Sequence, residues 1–344
     1  MSAPTVARAA PFPTIVAFFR RHPVLLLLCL TPGIPEYLSG SSALADLVIA
    51  PPVFFIFLAL NLGLYGPGVL LIREALIRWN KGWAAVLCLG SAYALLEEGT
   101  GLSTLFDPKA SVVGNLGMYG HSLGVSWVWA IGVLQIHIVL SIGLPILLLG
   151  LALPETRGRS FLNGRQIALV LGIFAFDIFF LLLISHYYPV GLLWQLLAIP
   201  VAAALAGLAY YLPRDLLNPT SATPTLSLTA CFVLGFLFFP IIVLVPGLGE
   251  HTSLGAPLVG ALEIAASGGL FLLIRRGIGR THNEAQLVMV AFGALVPIAF
   301  FGLVGQIFVP VVVVADVFFA LFFYTLWQRY RPGPAAPGVP TGAV

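Results

Sequence analysis

The sequence predicts an all-α fold, a polytopic transmembrane helical bundle of about ten spans. Three observations predict it. Of the 344 residues, 60% are hydrophobic and only 8% are charged. The apolar residues form continuous runs of roughly 18–25, the length that crosses ~30 Å of hydrocarbon at about 1.5 Å per residue. The segments between runs alternate between basic and nearly free of Lys and Arg, which is how a multi-pass protein records its orientation. Continuous runs exclude a membrane barrel, whose strands alternate apolar and polar residues over ~10-residue stretches.

The expected spans are 16–38, 52–77, 82–101, 125–152, 166–186, 191–211, 227–247, 255–275, 285–302 and 306–328. Arg8, Arg20 and Arg21 precede the first, and the gap from Ser39 to Pro51 carries no cation. Arg73, Arg78 and Lys81 follow the second span, and the gap from Gly101 to Gly120 holds only Lys109. Arg157, Arg159 and Arg165 lie between the fourth and fifth. His186 to Gly191 is uncharged, Arg214 follows, and the gap at Glu250 and His251 has no cation. Arg275, Arg276 and Arg280 come next, and Arg329 and Arg331 close the series. With ten spans, all of the 16 Lys and Arg except Lys109 fall on one side of the membrane. Both termini are then cytoplasmic, and the expected location is the plasma (cell inner) membrane, crossed many times.

The organisation that follows is a short N-terminal cytoplasmic segment (1–15), a transmembrane helical domain (16–328) and a Pro/Gly-rich cytoplasmic tail (329–344) with a disordered composition. Arg20 and Arg21 before a short apolar run look like a signal peptide, but Pro32 and Pro35 interrupt it, so an uncleaved first span is expected. Several spans carry Pro/Gly breaks: Pro32, Gly33 and Pro35 in the first, Gly66-Pro67-Gly68 in the second, Pro200 in the sixth, Pro246-Gly247 in the seventh. The stretch from Gly99 to Gly120 is too short to cross twice and reads as a re-entrant hairpin or a lid. A net charge of +3, concentrated on the cytoplasmic gaps, records topology and gives no nucleic-acid surface. No GxxxxGK[ST] loop occurs, which argues against ATP-driven work by this chain alone. Three cysteines (Cys29, Cys88, Cys231) without a CxxC pair read as apolar filler. The expected partners are the lipid bilayer and a small-molecule or ion substrate.

Ionisable groups inside the apolar runs cost about 2.5–3.5 kcal/mol each on insertion scales, so each needs a reason. Counted from the cytoplasmic anchors, Glu97, Glu98 and His137 lie at similar depth, and Glu36 is nearly level with them. Asp177, Glu263 and Asp316 lie closer to mid-membrane. Two adjacent carboxylates cannot both ionise cheaply in an apolar site. A proton, a metal ion or a cationic His137 relieves the pair, or else it faces the outer water at the end of its helix.

One functional expectation is a secondary, proton-coupled transporter or permease whose substrate or ion pathway uses Glu36, Glu97, Glu98, Asp177, Glu263 and Asp316. Ten spans divide into two five-span halves (16–189 and 190–328) of opposite orientation. Acids fall on the third and fifth helix of each half, the pattern of an inverted repeat. A second expectation rests on a resemblance. Glu97-Glu98-Gly99-Thr100-Gly101-Leu102, Val133-Leu134-Gln135-Ile136-His137 and His186-Tyr187-Tyr188-Pro189-Val190 resemble the EExxxR, FxxxH and HxxxN elements of the CAAX-protease and bacteriocin-processing intramembrane proteases. Leu102, Val133 and Val190 stand where that family has Arg, Phe and Asn. The resemblance implies a hydrolase with catalytic Glu97, Glu98 and His137, in which Glu97 activates water. It also implies His137 and His186 as metal ligands, with Zn²⁺ as the cofactor of that reading alone. A third expectation is a non-catalytic membrane scaffold subunit with the acids bonded inside the bundle.

Overall fold

The computed structural model describes residues 13–42, 46–185, 192–281, 283–305 and 313–332, and among these the fold is a helical bundle with almost no sheet. The elements in order are α1 (Pro13–Arg21), α2 (Pro23–Pro32), α3 (Asp46–Ile49), α4 (Pro51–Arg78), α5 (Trp83–Ala94), α6 (Trp127–Ile136), α7 (Leu144–Ala152), α8 (Gly164–Ile184), α9 (Leu192–Tyr211), α10 (Leu228–Glu250), α11 (Ala256–Ile278), α12 (Glu284–Gly305) and α13 (Val313–Tyr330). Three π-helical segments interrupt this pattern. Gly33–Leu38 continues α2, Leu95–Gly101 continues α5, and His137–Gly143 joins α6 to α7.

Among the described residues, seven helical stretches are long and apolar enough to cross a membrane: Pro51–Arg78, Trp127–Ala152, Gly164–Ile184, Leu192–Tyr211, Leu228–Glu250, Ala256–Ile278 and Glu284–Val304. The chain is therefore a multi-pass helical membrane protein. Its flanks fit that solvent, since Phe176, Leu193, Phe300 and Leu273 stand exposed on helices. Of the remaining expected spans, 82–101 lies on α5 and its π segment, and 306–328 overlaps α13. The first differs from expectation. α1 and the stretch Pro23–Leu38 meet at 101°, so the straight run begins at Pro23 instead of residue 16. The cause is local: Pro23 forces His22 out of the helical region (φ −127°, ψ 60°).

The Pro/Gly breaks expected at Pro67, Pro200 and Pro246 do not interrupt α4, α9 or α10, which run through them. The break at Pro32–Pro35 becomes the π segment Gly33–Leu38. Between the π segment Leu95–Gly101 and α6 the chain forms a compact lobe of turns, with one 3₁₀ turn (Gly114–Gly117) and a two-residue antiparallel ladder pairing His121 with Ser126. Leu105 from this lobe packs with Ala130 and Val133 of α6.

The basic gaps gather at one end of the bundle. Arg73 donates to the carbonyls of Thr156 (2.6 Å) and Arg159 (2.9 Å), Lys81 to that of Leu212 (3.0 Å), and Arg275 to that of Leu216 (2.9 Å). Arg329 donates to the carbonyl of Ala152 (2.8 Å). The cation-poor gaps meet elsewhere: Asn115 donates to Glu250, and Tyr119 to the Leu254 carbonyl (2.8 Å). The main core is built from α2, α4, α5, α7 and the inner faces of α8, α10, α12 and α13.

Candidate functional site: a buried carboxylate–imidazole cluster

Glu97 and Glu98 sit on the π segment that follows α5, and His137 opens the π segment that follows α6. A π turn inserts one extra residue per turn, and such bulges recur at functional positions. Here the widened turns rotate side chains of two helices toward each other. Gly90 allows the approach, because a Cβ at that position would stand 3.1 Å from the Ile138 backbone. All three residues are buried, at 2%, 7% and 3% exposure. The alternative that Glu97 and Glu98 face outer water does not hold in the fold.

His137 lies between the two carboxylates. Its Nε2 is 3.0 Å from Glu98 Oε1. Its Nδ1 is 3.1 Å from Ser141 Oγ and 3.3 Å from Glu97 Oε2. The second oxygen of Glu98 accepts from the Thr104 hydroxyl, which in turn accepts from Trp129 Nε1 at 3.1 Å. Glu97 Oε2 is left without an aligned hydrogen-bond donor, and the buried Tyr93 hydroxyl lies close to Glu97 without an aligned hydrogen bond. The rings of Tyr65 and Tyr93 stand 6.3 and 5.7 Å from the imidazole.

Around this centre the polar contacts continue. Tyr65 donates to Glu36 Oε1 (2.6 Å), Ser42 donates to Glu36 Oε2 (2.7 Å), and Asn61 donates to Ser42 Oγ (3.0 Å). Glu36 lies on the π segment after α2, so the fold brings all three π segments to one polar region. On the far side, α9 clasps the π segment that bears the glutamates. Thr100 donates to the Gln195 carbonyl (3.0 Å), and the Gln195 amide donates to Ser103.

Glu97, Glu98 and His137 each offer a ligand atom within 4.8 Å of the others, and among the described residues they are the only such trio of His, Cys, Asp and Glu. Two carboxylates and one imidazole suit a borderline divalent ion such as Zn²⁺. The orphaned Glu97 Oε2 is the feature that such an ion satisfies. The other expected ligand, His186, lies outside the described residues.

The remaining sequence-level candidates are not in this cluster. Glu263 of α11 is fully buried, and among the described residues its carboxylate accepts only from Gln135 Nε2 (3.2 Å), two residues before His137. Asp177 of α8 is buried against Gly63 of α4. Asp316 of α13 is half-buried. Sequence reasoning missed Tyr93, Ser141, Thr104 and Tyr65. Two of them carried a readable spacing: Tyr93 is four residues before Glu97 and Ser141 four after His137, so each shares a helix face with its partner.

Compared with family models, with curated proteins and with solved structures, the chain matches none of them.

Proposed function

We propose that this protein is a membrane-embedded hydrolase whose Glu97–Glu98–His137 cluster activates water, with a membrane-borne peptide as the substrate class. It sits in the cytoplasmic membrane with its basic end in the cytoplasm, and with ten spans both termini share that side. The observation that carries the reading is the convergence of three buried ionisable side chains from two π turns. Burying them costs free energy that packing alone does not require, which marks a site of function.

The roles follow from the contacts. Glu97, whose Oε2 has the imidazole Nδ1 at 3.3 Å but no aligned donor, takes a proton from water when no ion is bound and serves as a ligand when one is. Glu98 is fixed by Thr104, and through Nε2 it orients the imidazole. Ser141 holds the opposite ring nitrogen. The Tyr93 hydroxyl, beside Glu97 and without an aligned hydrogen bond, is the donor that can turn to an oxyanion developing on the substrate carbonyl. Glu97, Glu98 and His137 are the residues that would hold a divalent ion, which when bound lowers the pKa of a water and polarises a carbonyl.

The test is elemental analysis of the purified protein. The expected result is about one Zn²⁺ or similar ion per chain. It should be lost in His137→Ala and in Glu97→Gln, the second variant keeping the fold so that metal loss is separable from unfolding. A folded, metal-free wild type removes the metal-assisted reading.

A second reading, proton-coupled transport, is favoured by Glu263. It has no exposed surface and one carboxyl oxygen without a partner, on a helix that contributes nothing to the cluster. Proton uptake into proteoliposomes that disappears in Glu263→Gln, with bound metal unchanged, would establish it in place of hydrolysis.

A further inference from the structure

Asp177 takes no part in the cluster and stands oddly in the fold. It lies midway along α8, is 6% exposed, and its Oδ2 has no hydrogen-bond partner. No ion pair reaches it among the described residues. The charged and titratable groups of the elements packed on α8 are engaged elsewhere. On α4, Tyr65 donates to Glu36, Arg73 reaches the 156–159 turn, and Glu74 accepts from Arg78 and the Phe161 amide. On the π segment Leu95–Gly101, Glu97 and Glu98 turn to His137. A carboxylate left alone in this position would be an uncompensated buried charge.

The carboxyl is pressed onto α4 at one residue. A Cβ at Gly63 would stand 2.0 Å from Asp177 Oδ2, so any larger residue there requires the carboxyl to swing out of this seat. Four residues further along α4 is Pro67, inside the helix. An α-helix bonds each N–H to the carbonyl four residues back, and proline has no N–H. The carbonyl that Pro67 leaves without its helix donor is therefore that of Gly63, the residue the Asp177 carboxyl touches. One side of this contact has a carboxyl oxygen lacking a donor, and the other has a carbonyl whose regular helix donor is missing. A single proton on Asp177 satisfies both.

We propose that Asp177, Gly63 and Pro67 form a proton-binding site between α8 and α4, separate from the Glu97–Glu98–His137 cluster. The carboxylate takes one proton from water and becomes a neutral acid. Its O–H then donates to the Gly63 carbonyl, joining the two helices. Losing the proton leaves two oxygens facing each other and parts α8 from α4. The site is independent of the hydrolase reading, and metal content does not bear on it.

Infrared difference spectroscopy of the whole protein in detergent, with melting curves of the same samples, tests this. The wild type should show a protonated-carboxyl C=O stretch at neutral pH that vanishes in Asp177→Asn. The Asn amide keeps a donor for the Gly63 carbonyl, so this variant should melt within a degree or two of the wild type. Asp177→Leu, similar in size but without a donor, should melt several degrees lower. Gly63→Ala, whose methyl displaces the carboxyl from this seat, should also melt below the wild type, and Gly63→Ala with Asp177→Ala should recover part of that loss, because the new methyl then occupies the space the carboxyl vacated. A band unchanged by Asp177→Asn overturns the proposal. So does Asp177→Asn melting as low as Asp177→Leu, which would mean that the native group is an ionised carboxylate serving a cation. Asp177→Leu melting like the wild type overturns it as well, since the proton would then hold nothing.

Discussion

The packing of α10 on α12 and the packing of α5 on the helix that carries His137 solve opposite problems. α10 and α12 meet through glycine. A Cβ at Gly235 would stand 2.1 Å from the Val290 carbonyl oxygen, and one at Gly293 the same distance from that of Phe232. The two backbones touch directly, and Pro240, Pro246 and Pro297 leave both helices unbroken. This is close approach of small residues, the usual means of joining helices where lipid removes the hydrophobic driving force. At the other interface Gly90 also allows close approach, but the helices then leave α geometry for two π turns. They bury Glu97, Glu98 and His137 where the first pair of helices buries Phe and Val. One interface is built for association alone, and the other gives up regular helix geometry to hold a polar cluster. The difference is what supports placing the proposed function at the second interface.

The largest effect that would sharpen this contrast is in the cluster. His137→Ala leaves two buried carboxylates side by side with no imidazole between them. Removing one partner of a buried charged group costs ~3–5 kcal/mol. Glu97→Gln should cost far less, since the amide donates where Glu97 Oε2 now lacks a donor and one like charge is gone. Equilibrium unfolding in mixed micelles should separate the two variants. Equal losses would mean that the three side chains form a structural network and not a strained site.

The next effect belongs to the regular interface. Gly235→Ala and Gly293→Ala each push a methyl into a carbonyl of the facing helix, and overpacking of this kind costs ~1–3 kcal/mol. Bound metal should be unchanged in both, because α10 and α12 lend no side chain to the cluster. A variant that unfolds normally yet loses its metal would show that the halves are coupled.

Much of the bundle was legible before the fold was seen. Helix rise alone put Glu97, Glu98 and His137 at one depth, and the fold joins residues 39 positions apart in sequence at 3.0 Å. It also put Glu36 nearly level, and Tyr65 now bridges Glu36 to the imidazole face. What could not be read was the π geometry, because apolar runs of α and π helix look alike and the extra residue per turn leaves no mark in composition. The bend at His22 was readable from Pro23 but was overridden by the length of the apolar run. The seat of Asp177 on Gly63 was not readable either, since the two residues are more than a hundred positions apart and nothing in either helix marks the other. The lobe from Leu102 to Ser126 was visible only as a stretch that could not cross. Its role in fixing Glu98 through Thr104 required the fold.

The smallest expected effect tests whether the two regions need each other. At the basic end Arg157 donates to Glu284 at 2.6 Å and to the Gly150 carbonyl at 2.8 Å, which ties the segment after α7 to the start of α12. The hydrogen bond that Arg157 donates to Glu284 raises the affinity of the guanidinium for its proton, so Arg157 stays charged at any physiological pH. Arg157 is 45% exposed on its side chain, and water and salt therefore screen most of the attraction. Arg157→Gln should cost no more than ~0.5 kcal/mol, and that loss should vanish at high salt. Glu284→Gln should give the same result, and the double variant no more than either alone. A loss several times larger, insensitive to salt, would mean that the backbone bond to Gly150 carries the contact. The cluster and the glycine interface would then be held in register by this clasp and not by the core between them.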